Sequence, residues 1–112
     1  MPLTAGFLID GKWESPNQDL HNVVNPSNGE VIAQVPYATV ADVDRAVKAA
    51  HNAFLEWREV PVVDRVQALY KFKDLLEKHS LELATTLSRE NGKTLDDAKA
   101  EVRRGIQMVE VA

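Results

Sequence analysis

Cysteine is absent from these 112 residues, which removes disulfides, thiolate metal sites and a thiol nucleophile from anything the chain can do alone. No run of about 18 apolar residues is present to cross a bilayer. The start, Met1 to Gly6, has neither the basic region nor the long apolar stretch of an export signal. An excess of positive charge is missing too. Seventeen acidic residues against thirteen Lys and Arg give a formal net charge of -4, and the acids are interleaved throughout, so neither nucleic acid nor a membrane is an expected partner. Cytoplasm is the expected compartment. Glycine is scarce, and Asn28-Gly29 and Asn91-Gly92 are single-glycine turns rather than loops that cradle phosphates. What remains is 45% hydrophobic, enough apolar material for one modest core.

The first third reads as strand and turn. Phe7-Leu8-Ile9 runs into Asp10-Gly11, a pair suited to a tight turn with positive φ, so residues 7 to 14 are expected to form a hairpin whose return arm carries Trp13. Val23-Val24 enters the turn residues 25 to 29, and Val31 to Val35 leave it as a second antiparallel pair. Pro36 donates no ladder hydrogen bond and is expected to close that strand.

From Thr39 the period becomes helical. Val43, Val47, Ala50, Phe54 and Trp57 recur every three or four residues, which predicts one buried stripe on a first helix capped by Thr39 with Asp42. Pro61 suits the first turn of a second helix that buries Val62, Val66, Leu69, Phe72 and Leu76. Ser80 is expected to cap a third, with Leu83, Ala84 and Leu87 inward and Asn91-Gly92 as its stop. Thr94 with Asp97 opens a fourth, whose stripe is Leu95, Ala98, Val102, Ile106 and Val109. The periodicity is still running at Ala112, without a Gly, Asn or Pro stop, so the chain is read as cut there. The expected organisation is a β-hairpin region at 1–37 and a helical region at 38–112, an α/β protein that is α+β as a piece.

Few residues carry chemistry. His21, His51 and His79 lack a metal-site spacing or a positioned partner and read as surface histidines. The pairs Asp42/Asp44 and Asp96/Asp97 fall in first turns of helices, where compensation of the helix dipole explains them. Ser80 and Ser88 lack the glycines that expose a nucleophile, and Phe54 with Trp57 reads as core. Arg103 and Arg104 point about 100° apart on the fourth helix and so face different surroundings. If Arg104 lies beside the Leu95/Val102/Ile106 stripe, its planar fork can take a carboxylate in bidentate fashion; otherwise it is an exposed helix charge or an interface salt bridge.

Four segments together carry a resemblance: Leu8-Ile9-Asp10-Gly11-Lys12-Trp13, Asn25-Pro26-Ser27-Asn28-Gly29-Glu30-Val31-Ile32, Ala53-Phe54-Leu55-Glu56-Trp57 and Glu90-Asn91-Gly92-Lys93. In this order and approximate spacing they resemble the start of the aldehyde dehydrogenase superfamily. Within it, Val23-Val24-Asn25-Pro26, Gln34-Val35-Pro36, Glu90 to Thr94 and above all Arg104-Gly105-Ile106 look like the CoA-acylating methylmalonate-semialdehyde type. The resemblance implies an NAD-dependent oxidation of malonate or methylmalonate semialdehyde, transfer of the acyl group to CoA with loss of carbon dioxide, and a homo-oligomeric enzyme. It also implies that the catalytic cysteine, the nucleotide site and the oxyanion asparagine lie in the remainder of the enzyme chain, leaving these residues with no catalytic, cofactor or metal site. Only Arg104 matches a position linked to binding the substrate carboxylate, and Arg103 departs from the small residue usual before it. Two other readings stay open. One is an aldehyde dehydrogenase whose acyl acceptor is water, and the other is a small non-catalytic helical interaction module.

Overall fold

A computed structural model of the chain describes residues 3–15 and 19–112. Five strands are followed by four helices: β1 (Leu3–Thr4), β2 (Phe7–Ile9), β3 (Lys12–Glu14), β4 (Leu20–Val24), β5 (Val31–Pro36), α1 (Val40–Trp57), α2 (Val62–Lys78), α3 (Ser80–Asn91) and α4 (Leu95–Val111). They form two compact units, one of residues up to Val24 with Gly29–Glu59, the other of Asn25–Asn28 with Val60–Ala112.

In the first unit both expected hairpins are present. β2 and β3 pair antiparallel across Asp10 and Gly11, whose φ values of 51° and 71° are those of a mirror-image hairpin turn. β4 and β5 pair antiparallel and β5 ends at Pro36. β1 is an addition: it joins β5 in parallel, with Leu3 opposite Ala33, making a mixed sheet of order β1-β5-β4. Helix α1 begins as expected. Thr39 Oγ1 accepts from Asp42 N at 3.2 Å, and Asp42 Oδ2 accepts from Thr39 N at 2.9 Å, the reciprocal capping box.

The buried face of α1 is not the expected one. Asp42 is 9% exposed and Ala46 and Ala49 are half-buried, whereas Val43, Val47, Phe54 and Trp57 are 51%, 61%, 52% and 47% exposed. Coverage by neighbours decides this. Arg45 reaches Glu14 of β3 through two hydrogen bonds of 3.0 and 2.7 Å and Asp42 Oδ1 at 2.9 Å, which sets the β2–β3 hairpin against the 42/45/46/49 side and leaves the valine and aromatic stripe uncovered.

The same clamp gives an acid dependence. The Arg45 guanidinium, hydrogen-bonded to Glu14, holds its carboxyl below the ordinary carboxylate range. A carboxyl with a depressed folded-state pKa adds stability that is complete above its unfolded value, near 4.3, and is lost as the pH falls through the lower folded value. Urea midpoints measured from about pH 6 to pH 3 should therefore fall less steeply for Glu14→Gln than for the parent. Parallel curves would show that the clamp adds nothing.

The second unit is helical, and its tightest packing is between α3 and α4. Ala84 and Ala98 are 0% exposed and Ile106 2%, small side chains letting the two helices approach. Val102 and Val109 are half-buried as expected, while Leu95, Leu83, Val62 and Phe72 are exposed, contrary to their expected burial; no described element covers the outer sides of these helices. Ser80 does not cap α3. His79 ends α2 and starts α3 at once, its N–H donating to Leu75 O at 3.0 Å and its carbonyl accepting from Leu83 N at 2.9 Å, so Ser80 is already inside the helix. Thr94 does cap α4, with Oγ1 accepting from Asp97 N at 3.2 Å and donating to Asp97 Oδ2 at 2.7 Å.

Gly92 ends α3 in the left-handed region at φ 78°, where side-chain-bearing residues are disfavoured by about 1–2 kcal/mol. A Cβ there would also lie 2.8 Å from Cγ of Pro26. That proline belongs to a turn in which Asn25 Oδ1 accepts from Ser27 N at 2.9 Å, and the turn packs onto the helix end. Gly92→Ala should destabilise this unit by about 2–4 kcal/mol, strain and overpacking combined. Gly105 lies in the exposed interior of α4 with open space around a built Cβ, and Gly105→Ala should stabilise by about 0.8 kcal/mol. Opposite shifts in urea midpoint for the two variants are the expected result.

Candidate functional site

Helix α4 presents its two arginines differently. Arg103 Nη1 donates to Glu77 Oε1 of α2 at 3.4 Å; Glu77 also meets Lys73 at 3.2 Å, and Lys73 meets Glu110 at 3.4 Å. These pairs form a ladder between α2 and α4. All are surface pairs, so each contributes little by itself, but together they fix which way α4 is turned. Glu77 is held ionised, its pKa lowered chiefly by the hydrogen bond from Lys73, and is therefore a poor proton donor and a weak base at neutral pH.

Arg104 is exposed and makes no ion pair or side-chain hydrogen bond among the described residues. Two positions from both Val102 and Ile106, it lies about 200° around the helix from the buried stripe. The condition stated from the sequence, that Arg104 flank that stripe, is not met. It stands instead on the exposed side of α4, as the alternative reading of an exposed helix charge has it.

Arg103 borders an open groove of about 400 Å3, with Leu81, Val102 and Ile106 as apolar floor and Glu77, Ser80 and Lys99 on the rim. Among the described residues no group of three His, Asp or Glu side chains is placed to hold a metal ion. His79 Nδ1 lies 3.0 Å from Glu82 Oε2, an i,i+3 pair at a helix start that the sequence spacing allowed but the reading of three free surface histidines missed. His21 is half-buried and stacks on Tyr37 with ring centroids 3.6 Å apart, and His51 is exposed. Ser88 Oγ donates to Lys93 O at 2.8 Å, tying the end of α3 to the next loop. The first-turn acids serve caps: Asp42 and Asp97 as described, with Asp96 against Lys99 at 3.4 Å. Phe54 and Trp57, expected as core, are exposed, and Arg58 lies over the Phe54 ring at 5.9 Å.

Two of the helix starts are unfavourable to the phosphates of a dinucleotide. Such phosphates need backbone N–H groups or cations at a helix start, and the starts of α1 and α4 carry Asp42 and the pair Asp96 and Asp97. No described helix is long and apolar enough to cross a membrane.

Comparison with known proteins gives a consistent picture. The profile of the aldehyde dehydrogenase family matches residues 13–112. Malonate-semialdehyde dehydrogenase 1 of Bacillus licheniformis is 50% identical over 105 residues, covering 93% of this chain and 22% of the relative. The crystal structure of methylmalonate-semialdehyde dehydrogenase from Oceanimonas doudoroffii superposes with a TM-score of 0.91 at 38% identity, over 97% of this chain and 22% of that one. A mutant of aldehyde dehydrogenase C from Pseudomonas syringae, in complex with NAD+ and octanal, gives 0.91 at 37% identity, over 96% and 22%. The chain thus spans about a fifth of the length of the curated relatives it matches.

Proposed function

This chain belongs to the aldehyde dehydrogenase family, and from that we propose that it is the amino-terminal fifth of an NAD-dependent enzyme that oxidises malonate or methylmalonate semialdehyde and acylates CoA. The observation that carries the substrate class is its 50% identity to a malonate-semialdehyde dehydrogenase. The Arg104-Gly105-Ile106 motif supports the same reading, because a semialdehyde of this class carries one carboxylate beside its aldehyde and Arg matches planar anions; on this reading the rest of the enzyme brings the substrate to the exposed Arg104.

The reaction balances as malonate semialdehyde, CoA and NAD+ giving acetyl-CoA, carbon dioxide and NADH; the methyl homologue gives propionyl-CoA. Bound NAD supplies the hydride acceptor. Its site and the thiol nucleophile fall to the part of the enzyme beyond these residues, since this chain has no cysteine and the helix starts noted above repel phosphate. We place the complete enzyme in the cytoplasm as a homo-oligomer.

A second reading is favoured by one observation. The Pseudomonas syringae protein, solved with octanal, is 37% identical, so a neutral aldehyde with water as acyl acceptor remains within the same fold. The deciding experiment supplies the complete enzyme carrying this chain with malonate semialdehyde and NAD+, with and without CoA, and follows the products by mass spectrometry. Acetyl-CoA formed in step with NADH is expected. A free acid formed while CoA stays unconsumed would establish water as the acceptor, and turnover of octanal with none of the semialdehyde would refute the substrate class.

A further inference from the structure

Every acidic side chain on α4 is held by a described group. Asp96 meets Lys99 at 3.4 Å, Asp97 serves the Thr94 cap, Glu101 takes the ammonium of Lys93, and Glu110 takes that of Lys73 at 3.4 Å. Of the cations on the same helix, Lys99 is paired with Asp96 and Arg103 with Glu77. Arg104 alone has no ion pair or side-chain hydrogen bond among the described residues.

That isolation is not what the helix itself favours. Residues three and four apart are neighbours on a helix surface, and opposite charges placed so attract. Around Arg104 those positions hold Ala100, Glu101, Gln107 and Met108, so Glu101 is the one anion within reach along the helix. It is engaged instead by Lys93, which stands before the helix begins.

Lys93 is in place because the connection from α3 to α4 is fixed on both sides of it. Gly92 N–H donates to Ser88 O at 2.9 Å, Ser88 Oγ donates to Lys93 O at 2.8 Å, and Thr94 caps α4. Its half-buried side chain runs from there to Glu101.

We propose that Lys93 is a positioning residue: by occupying Glu101 it keeps an internal carboxylate from closing on Arg104 and leaves that guanidinium to the carboxylate of the semialdehyde. The inference rests on the reading of Arg104 as the carboxylate anchor. Two effects work in the same direction. Glu101 released from Lys93 would compete with substrate for Arg104, and its charge, no longer offset, would repel an arriving anion. A neutral aldehyde is subject to neither.

Steady-state kinetics of the complete enzyme with malonate semialdehyde and with propionaldehyde tests this. Lys93→Met should lower kcat/KM for the semialdehyde about two- to fivefold, the strength of an exposed ion pair, chiefly through KM because an internal competitor acts on binding. Propionaldehyde should be unaffected. Lys93→Arg keeps a cation for Glu101 and should retain the parental values. Adding Glu101→Gln to Lys93→Met removes the competitor and should restore the semialdehyde, a selective rescue that a purely structural role for Lys93 would not give. An equal loss for both aldehydes, or a double variant no better than Lys93→Met, would overturn the proposal. Arg104→Ala keeps the two levels apart. If it is selective for the semialdehyde while Lys93→Met is not, the anchor stands and the positioning role falls; if Arg104→Ala is itself unselective, the anchor falls and the positioning role with it.

Discussion

Residues 1–112 on their own are expected to reduce no NAD+ when given malonate semialdehyde and CoA. Oxidising an aldehyde to a thioester needs a nucleophile that holds the carbonyl carbon covalently while hydride leaves, then yields the acyl group to CoA. A thiolate suits both halves, and the chain has none. The hydroxyls are poor substitutes. Ser88 is spent on the Lys93 carbonyl at 2.8 Å, Thr39 and Thr94 hold the caps of α1 and α4, and Ser80 on the groove rim has no base bonded to it among the described residues. The one described histidine–carboxylate pair, His79 with Glu82, lies at the start of α3. Purified chain at high concentration, followed by NADH absorbance against a heat-treated control, should give no difference. A rate that follows the amount of chain and vanishes on heating would show that these residues hold a nucleophile and a cofactor site after all.

What the sequence made legible were the positions where local chemistry decides. Asp10-Gly11 turns, the Thr39 and Thr94 caps, the Gly92 stop and the Ala98–Val102–Ile106 stripe all depend on residues within a turn or two of each other, and the structure has each of them. The four recognised segments likewise pointed to the family that the comparison bears out. The Ser80 cap and the His79–Glu82 pair were local misreadings, but the larger ones depend on contacts distant in sequence. β1 is two residues long and exists through parallel pairing with β5, some thirty positions away. The apolar period of α1 gave the right helix and the wrong buried face, because the Glu14–Arg45 clamp, which joins residues 31 apart, places the hairpin on the other side. Pro26 against Gly92 joins two of the segments that carried the family resemblance. From sequence they are two turns, and only the fold shows that one seats on the other. The condition under which Arg104 would flank the buried stripe is not met: packing of Ala98 and Ile106 sets the buried side of α4 and leaves Arg104 about 200° from Ile106, on the exposed side.

Arg104→Ala in the complete enzyme should lower kcat/KM for malonate semialdehyde by about 30- to 150-fold while leaving propionaldehyde nearly unchanged. The size follows from the interaction: a charge-assisted bidentate pair shielded from water is typically worth about 2–3 kcal/mol, and its loss appears in full in kcat/KM. The specificity follows from the control, since propionaldehyde has the same reacting group and no carboxylate to lose. Arg104→Lys should recover only part of the activity, because an ammonium offers a point charge where the guanidinium offers a fork. Structural damage is an unattractive explanation for such a loss. Arg104 is exposed, faces away from the α2 and α3 side and takes no part in the ladder that orients α4, so removing it should leave the urea midpoint within about 0.5 kcal/mol of the parent. Arg103→Ala supplies the complementary measurement. It breaks the 3.4 Å contact to Glu77 without touching the proposed carboxylate anchor, and should change both substrates by a similar, small factor. If Arg104→Ala instead depresses the acidic and the neutral aldehyde equally, the residue serves packing or an interface, and the carboxylate must be held by another part of the enzyme.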